Sequence, residues 1–313
     1  MKYIKDIRED DHIVCHYYCK QKQSLKSRNG KTYLSLKLQD KTGVVDAKVW
    51  DLTNDIQNFD ENDFIKIEGV ALLYQNETQL KVSKIRRSSE GEYDLSDYIP
   101  RTEKDIAALL KQLSEYIASV SNPFIKELLT NIFIKNKNIN QAFASHSAAK
   151  ALHHSYLGGL IEHTLSVARI CDFISGQYNN INRDLLICGA MLHDIGKIYE
   201  LSPFPGNSYT DDGRLLGHIF IGAELVSKEA LMIDRFPEPL ETLIKHCILS
   251  HHGEYEFGSP KRPKIIEAFI LFCADNLDAK TKAFETAIET ETPQDGWLSY
   301  NKNFERYLRI TDL

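Results

Sequence analysis

The chain has 313 residues, 42% of them apolar and 26% charged, which is the balance of a soluble globular protein with room for two domains. No apolar run reaches the length of a membrane span, so a membrane protein is not expected. The net charge of −6 argues against a general nucleic-acid coat, but it is unevenly spread: residues 1–90 hold 16 Lys and Arg against 14 Asp and Glu, and the remainder 22 against 30. A polyanion is therefore expected to be held first by the N-terminal part.

The opening MKYIKDIREDD lacks the apolar core of a signal peptide. The six cysteines, Cys15, Cys19, Cys171, Cys188, Cys247 and Cys273, form no CxxC, and four sit in apolar helical patterns. They read as reduced core residues of a cytoplasmic protein, not as a disulfide frame or a zinc knuckle.

Residues 11 to 87 are rich in strand signals. A first strand is predicted around Ile13 to Lys20. TYLSLKLQD alternates, with Leu34, Leu36 and Leu38 on one face and Tyr33, Ser35 and Lys37 on the other. VVDAKVW alternates too, setting Val45, Ala47 and Val49 against Asp46, Lys48 and Trp50. FIKIEGVALLY and QLKVSKIRR supply two more strands, split by Gln75-Asn76-Glu77. Five short strands in so small a segment suggest a Greek-key barrel, and the pattern resembles an OB-fold. Tyr33, Lys37, Lys48 and Trp50 on its outer face suit base stacking with backbone neutralisation. Solvated lysines and a barrel-capping Trp50 are the plainer alternative.

Residues 88 to 101, SSEGEYDLSDYIPR, read as a linker, followed by helical patterns from Thr102 to Val120 and from Pro123 to about Lys137. His146 reads as a surface residue. His153-His154 precede a helical pattern, GGLIEHTLSVARICDFI, that carries His163. They either contact substrate phosphate or act as local caps.

Asp184 to Tyr199, DLLICGAMLHDIGKIY, leaves almost no polar face and predicts one buried helix. His193 and Asp194 in its middle must be satisfied by something, and neighbouring helical positions can converge on one ion. Lys197, one turn later, is placed either to act catalytically, meeting a phosphate oxygen or steadying the leaving group, or to lie on the helix surface. His218 follows. His251-His252 end TLIKHCILSHHGE, with Leu243, Cys247 and Ile248 marking the inner face. Asp275 lies beside Ile266, Ile270, Cys273 and Leu277 at helical spacing; an unpaired carboxylate buried there would cost several kcal/mol. Nine of the eleven histidines fall between His146 and His252. Imidazoles and carboxylates on separate apolar helices are how a buried metal site is built, and mixed nitrogen and oxygen ligands without thiolate fit Mn, Fe, Co or Zn better than Ca. The tail beyond Pro293 is aromatic and basic enough either to pack or to touch substrate.

The order His163, His193-Asp194, Asp275, with HDIGK written out, resembles the HD-domain metal-dependent phosphohydrolases. His218 and His251-His252 resemble the additional ligands of members holding two metals. A five-stranded barrel followed by such a domain resembles the YhaM-type 3′→5′ exoribonucleases over nearly the whole chain. The resemblance implies an N-terminal OB-like barrel at 1–90, connecting segments at 91–145, an all-α HD domain at 146–290 and a tail at 291–313. It implies hydrolysis of single-stranded RNA, or single-stranded DNA, by a metal-activated hydroxide, with manganese ahead of cobalt, iron or zinc. One ion would take His163, His193, Asp194 and Asp275; a second would take Asp194, His218, His251 and His252. Two rival expectations stand beside it: an HD enzyme of small or cyclic nucleotides with a regulatory barrel, and a nucleic-acid-binding module without turnover.

Overall fold

The computed structural model describes residues 2–27, 29–74, 77–150 and 156–311, leaving aside the side chain of Thr290. The chain divides into two units: Met1–Arg101 with Phe204–Asn207, and Thr102–Pro203 with Ser208–Leu313.

In the first unit, strands β1 (His12–Lys26), β2 (Thr32–Asp40), β3 (Gly43–Val49), β4 (Phe64–Tyr74) and β5 (Glu77–Arg87) close a barrel in the order β1-β2-β3-β5-β4. Every pairing is antiparallel except β3 with β5. The alternation read from the sequence is the one the barrel uses. Leu34, Leu36 and Leu38, with Val45, Ala47 and Val49, face the core alongside Ile65, Ile67 and Leu80. β1 is longer than expected because one strand pairs on both sides, with β4 through its first half and with β2 through its second, and it bends at a bulge between Cys19 and Gln21. Gly69 sits at the irregularity in β4, where a Cβ would lie 2.5 Å from the Lys81 carbonyl oxygen.

Residues 88–101 are not a free linker. Tyr93 stacks on Phe64 with ring centroids 4.1 Å apart, Tyr98 and Ile99 are buried, and Lys41 N donates to Asp97 O. The polar composition of this stretch masked two aromatics that find a partner only in the folded barrel.

The second unit is helical: α1 (Ile106–Ser119), α2 (Pro123–Thr130), α3 (Lys137–Ser145), α4 (Gly159–Ser175), α5 (Arg183–Leu192), α6 (Lys197–Glu200), α7 (Asp211–Leu215), α8 (Gly217–Ala230), α9 (Glu238–Ser250) and α10 (Ile266–Thr290). Asparagine side chains cap three of them: Asn122, Asn136 and Asn182 each accept from backbone N–H groups of the first turn. α4, α5 and α9 pack their apolar faces around Leu165, Ala168, Met191, Leu192, Cys247 and Ile248. No helix among the described residues is long and apolar enough to cross a membrane.

Two inward faces differ from expectation. On α9 Ile244 is buried and Leu243 exposed. On α10 Ala268, Leu271 and Ala274 are buried, with Glu267 and Ala287, while Ile266, Cys273 and Leu277 face outward. α10 is apolar on two sides, so periodicity alone could not choose between them. His146 is buried, its Nε2 3.0 Å from Leu201 O, so it is not a surface residue. The tail forms a hairpin, β6 (Trp297–Asn301) with β7 (Arg306–Arg309), whose Leu298 and Leu308 pack on Ala287 of α10.

Candidate metal centre

The Asp184–Tyr199 segment is two helices with a turn between them. α5 ends at Leu192, His193 is its C-cap, and α6 restarts at Lys197. The turn lies against α8. A Cβ on Gly196 would stand 2.0 Å from His218 O and 2.8 Å from Gly222 N, so only glycine lets the two backbones meet. That close approach sets Asp194 between two groups of histidines.

One carboxylate oxygen of Asp194, Oδ2, lies 3.5 Å from His163 Nε2 and 3.3 Å from His193 Nε2. The other, Oδ1, lies 3.5 Å from His218 Nε2 and 3.6 Å from His251 Nε2. Asp275 Oδ1 joins the first group, 3.1 Å from His163 Nε2. His252 joins the second, with its ring centroid 4.3 Å from that of His251. Ligand atoms of His163, His193 and Asp194, and those of His218, His251 and His252, form two sets, each with all its members within 4.8 Å of one another.

Each of the five histidines is anchored by its other ring nitrogen. Nδ1 of His163 bonds Asp278 Oδ2 at 2.7 Å, and Nδ1 of His218 bonds Glu200 Oε1 at 2.9 Å. Nδ1 of His193, His251 and His252 bonds the carbonyls of Ala190, Ile248 and Phe257. A carbonyl or carboxylate can only accept, so the proton sits on Nδ1 and the Nε2 lone pairs point into the centre. This brings His163 Nε2 and His193 Nε2, two acceptors, to 3.2 Å. Asp194 Oδ1, His218 Nε2 and His251 Nε2 are buried with no hydrogen-bond partner. Each such atom costs about 1–3 kcal/mol if left unpaired. A divalent cation among these lone pairs satisfies all of them, so the residues present fit the metal.

The electrostatics agree. Burial works against charge on Asp194, but Lys197 and His193 outweigh it and hold its carboxyl well below the usual range. Asp275 is likewise held down against burial, by His163 and then His193. Burial pushes His251 and His252 down, with neighbouring imidazoles adding to the shift, which favours the neutral, metal-binding form. His163 runs the other way: burial is outweighed by the carboxylates of Asp194, Asp275 and Asp278, which raise it, so a cation binding there displaces a proton.

Lys197 is not a helix-surface lysine: its Nζ donates to Asp194 Oδ2 at 2.6 Å. That bond positions Asp194 and uses one of the three donors of the ammonium. Asp278 and Glu200 are the site residues that sequence reasoning missed. Asp278 had a signal, three positions after Asp275 on the same helix; Glu200 had none, since only the α6–α8 contact brings it to His218. His153 and His154 lie outside the described residues.

On the barrel, Tyr33 and Trp50 stack at 4.5 Å with a 26° interplanar angle, and Trp50 is 40% exposed. Lys48 Nζ stands 6.0 Å from the Tyr33 ring centroid and 2.6 Å from Ser35 Oγ. Lys37 pairs across the strands with Asp46 at 3.4 Å, which takes up part of its charge. Three of the four expected residues thus gather on one patch, with Lys37 at its edge.

The HD-domain family model matches residues 160–280, and the model of the OB-fold nucleic acid binding domain matches residues 19–87. Among solved structures, the HD domain of the L. monocytogenes phosphodiesterase PgpH shares 19% identity over 51% of this chain and 77% of its own, at a TM-score of 0.29. The second OB-fold domain of replication protein A from Methanococcus maripaludis shares 15% over 29% and 98%, at 0.24. Likenesses that loose add nothing to the assignment. A relative aligned over most of both chains does: the 3'-5' exoribonuclease YhaM of Geobacillus sp. (strain WCH70) is 37% identical over 267 residues, 85% of this chain and 81% of that protein. With both halves matched and the relative covering most of the chain, the chain belongs to the YhaM family of 3′→5′ exoribonucleases.

Proposed function

We propose that this chain is a metal-dependent exoribonuclease that shortens single-stranded RNA from its 3′ end, with single-stranded DNA as a secondary substrate. The observation that carries the chemistry is Asp194, which offers one oxygen to His163 and His193 and the other to His218 and His251. That placement supports two ions per chain, one held by His163, His193, Asp194 and Asp275, the other by Asp194, His218, His251 and His252. Nitrogen and oxygen donors without thiolate suit manganese, with cobalt, iron or zinc as alternatives. Bound there, the metal supplies an activated water and neutralises the oxygens of the scissile phosphate. The protein's part is to hold these ligands in place. Lys197 keeps Asp194 ionised in a buried setting, and Asp278 and Glu200 fix the rings of His163 and His218 through their Nδ1 atoms.

The Tyr33–Trp50 stack with Lys48 supports the barrel as the domain that holds the strand. We assign 1–101 to that domain and the hydrolytic work to the helices after it, in the cytoplasm. The relative's printed activity favours RNA over small or cyclic nucleotides. The test is purified protein with Mn²⁺ and 5′-labelled RNA, products sized on a gel, and a cyclic dinucleotide run in parallel. A ladder shrinking one nucleotide at a time supports the reading. Turnover of the cyclic dinucleotide alone would replace it with the small-nucleotide reading.

A further inference from the structure

The loop joining His251 to α10 is tied down along its length. Gly253 takes a φ of +78°, and a Cβ there would lie 2.3 Å from the Phe272 ring. Ser259 is buried, its Oγ donating to Lys261 O at 2.6 Å and its N to Glu254 O at 3.2 Å. Lys261 N donates to Leu249 O, and Lys264 N to His246 Nε2 at 2.9 Å. His252 Nδ1 bonds Phe257 O at 3.0 Å, so the loop is fastened to a residue of the metal centre.

A segment so heavily bonded has the means to turn its apolar side chains inward. This one leaves Tyr255 59% and Phe257 61% exposed. Arg262 lies over the Tyr255 ring, 5.0 Å from its centroid, with its Nε donating to Glu254 Oε2 at 2.7 Å. Residues 251–264 carry Lys261, Arg262 and Lys264 against Glu254 and Glu256, a net of +1, within a part of the chain whose balance is acidic. Exposed rings among cations on a rigid frame are the recurring features of a surface that stacks single-stranded nucleic acid.

We propose that this loop is the nucleobase seat beside the metal centre: Tyr255 stacks one base of the RNA strand on its free face, and Lys261 with Arg262 meets the adjoining phosphate. This rests on the exoribonuclease reading above. Stacking on a ring face tolerates any base, which suits an enzyme that must release each nucleotide in turn. Tyr255 is a positioning residue: it sets where the strand lies and holds no metal.

The test is steady-state hydrolysis of an RNA hexamer in Mn²⁺ by the full chain and its Tyr255→Ala and Tyr255→Phe variants, with metal content measured on each. For Tyr255→Ala we expect KM to rise about tenfold with kcat within about threefold, and metal content at the wild-type level. Tyr255→Phe keeps the ring and restores KM. The proposal is overturned if Tyr255→Ala keeps the wild-type KM, if Tyr255→Phe is as impaired as Tyr255→Ala, or if metal content falls with activity, which would make the loop only a support for His252. It is also overturned if RNA kinetics stay unchanged while sedimentation shows a lost association between copies of the chain. A wild-type chain that leaves the hexamer intact removes the exoribonuclease reading itself, and is told apart from these outcomes because each of them begins from an active wild type.

Discussion

Gly196 and His218 meet backbone to backbone: the position a Cβ would occupy on Gly196 is 2.0 Å from the His218 carbonyl oxygen. The contact falls in the turn between α5 and α6, next to Asp194, which lies between the two histidine groups. Gly196→Ala should therefore push α8 away. We expect a loss of about 1–3 kcal/mol in stability from the overpacking, read by denaturant unfolding, together with weaker binding at the His218 and His251 side. An alanine variant with wild-type stability and metal content would show that the approach has room to spare.

Removing ligands should stop the reaction without unfolding the chain. His193→Ala and Asp194→Ala should each abolish RNA hydrolysis while RNA binding, followed by fluorescence anisotropy, persists. Near-normal turnover by either variant with normal metal content would mean that the chemistry happens elsewhere.

Asp278 and Glu200 touch no metal in this account, yet they set the tautomer of His163 and His218. Asp278→Asn and Glu200→Gln should lower metal affinity by about 10- to 100-fold, measured by titration of the metal-stripped protein. Activity should recover when excess Mn²⁺ is added. Failure to recover at saturating metal would assign these carboxylates a direct part in the reaction.

The barrel and the hydrolytic helices should separate in their salt response. Trp50→Ala and Tyr33→Ala should each weaken RNA binding by about 1–3 kcal/mol with little change in salt dependence, because stacking neutralises no phosphate. Lys48→Ala should instead lower the slope of log K against log salt by roughly 0.7, one single-strand phosphate contact fewer. If all three variants bind long RNA as the wild type does, the barrel serves another partner.

Much of this molecule was legible in the sequence, for definite reasons. The barrel strands carry a clean period of two, so Leu34, Leu36 and Leu38 announce their face. The clustering was visible because histidine and aspartate in apolar segments need a partner, and all seven candidate residues lie in the two groups or against them. What could not be read depends on contacts between distant segments. The HDIGK turn packs on the backbone of α8, Glu200 meets His218 across the α6–α8 contact, and residues 88–101 pack on a ring of β4. The inward face of α10 was misread because apolar residues line two sides of it, and only the direction of Asp275 and Asp278 decides between them.

Metal stoichiometry tests the central claim most directly. If Asp194 joins two ions, as its two oxygens facing different histidines imply, the wild-type chain should bind two Mn²⁺, His251→Ala about one, and Asp194→Ala none tightly, read by calorimetric titration and elemental analysis of the same samples. An Asp194→Ala chain that retains the wild-type metal content would contradict the account.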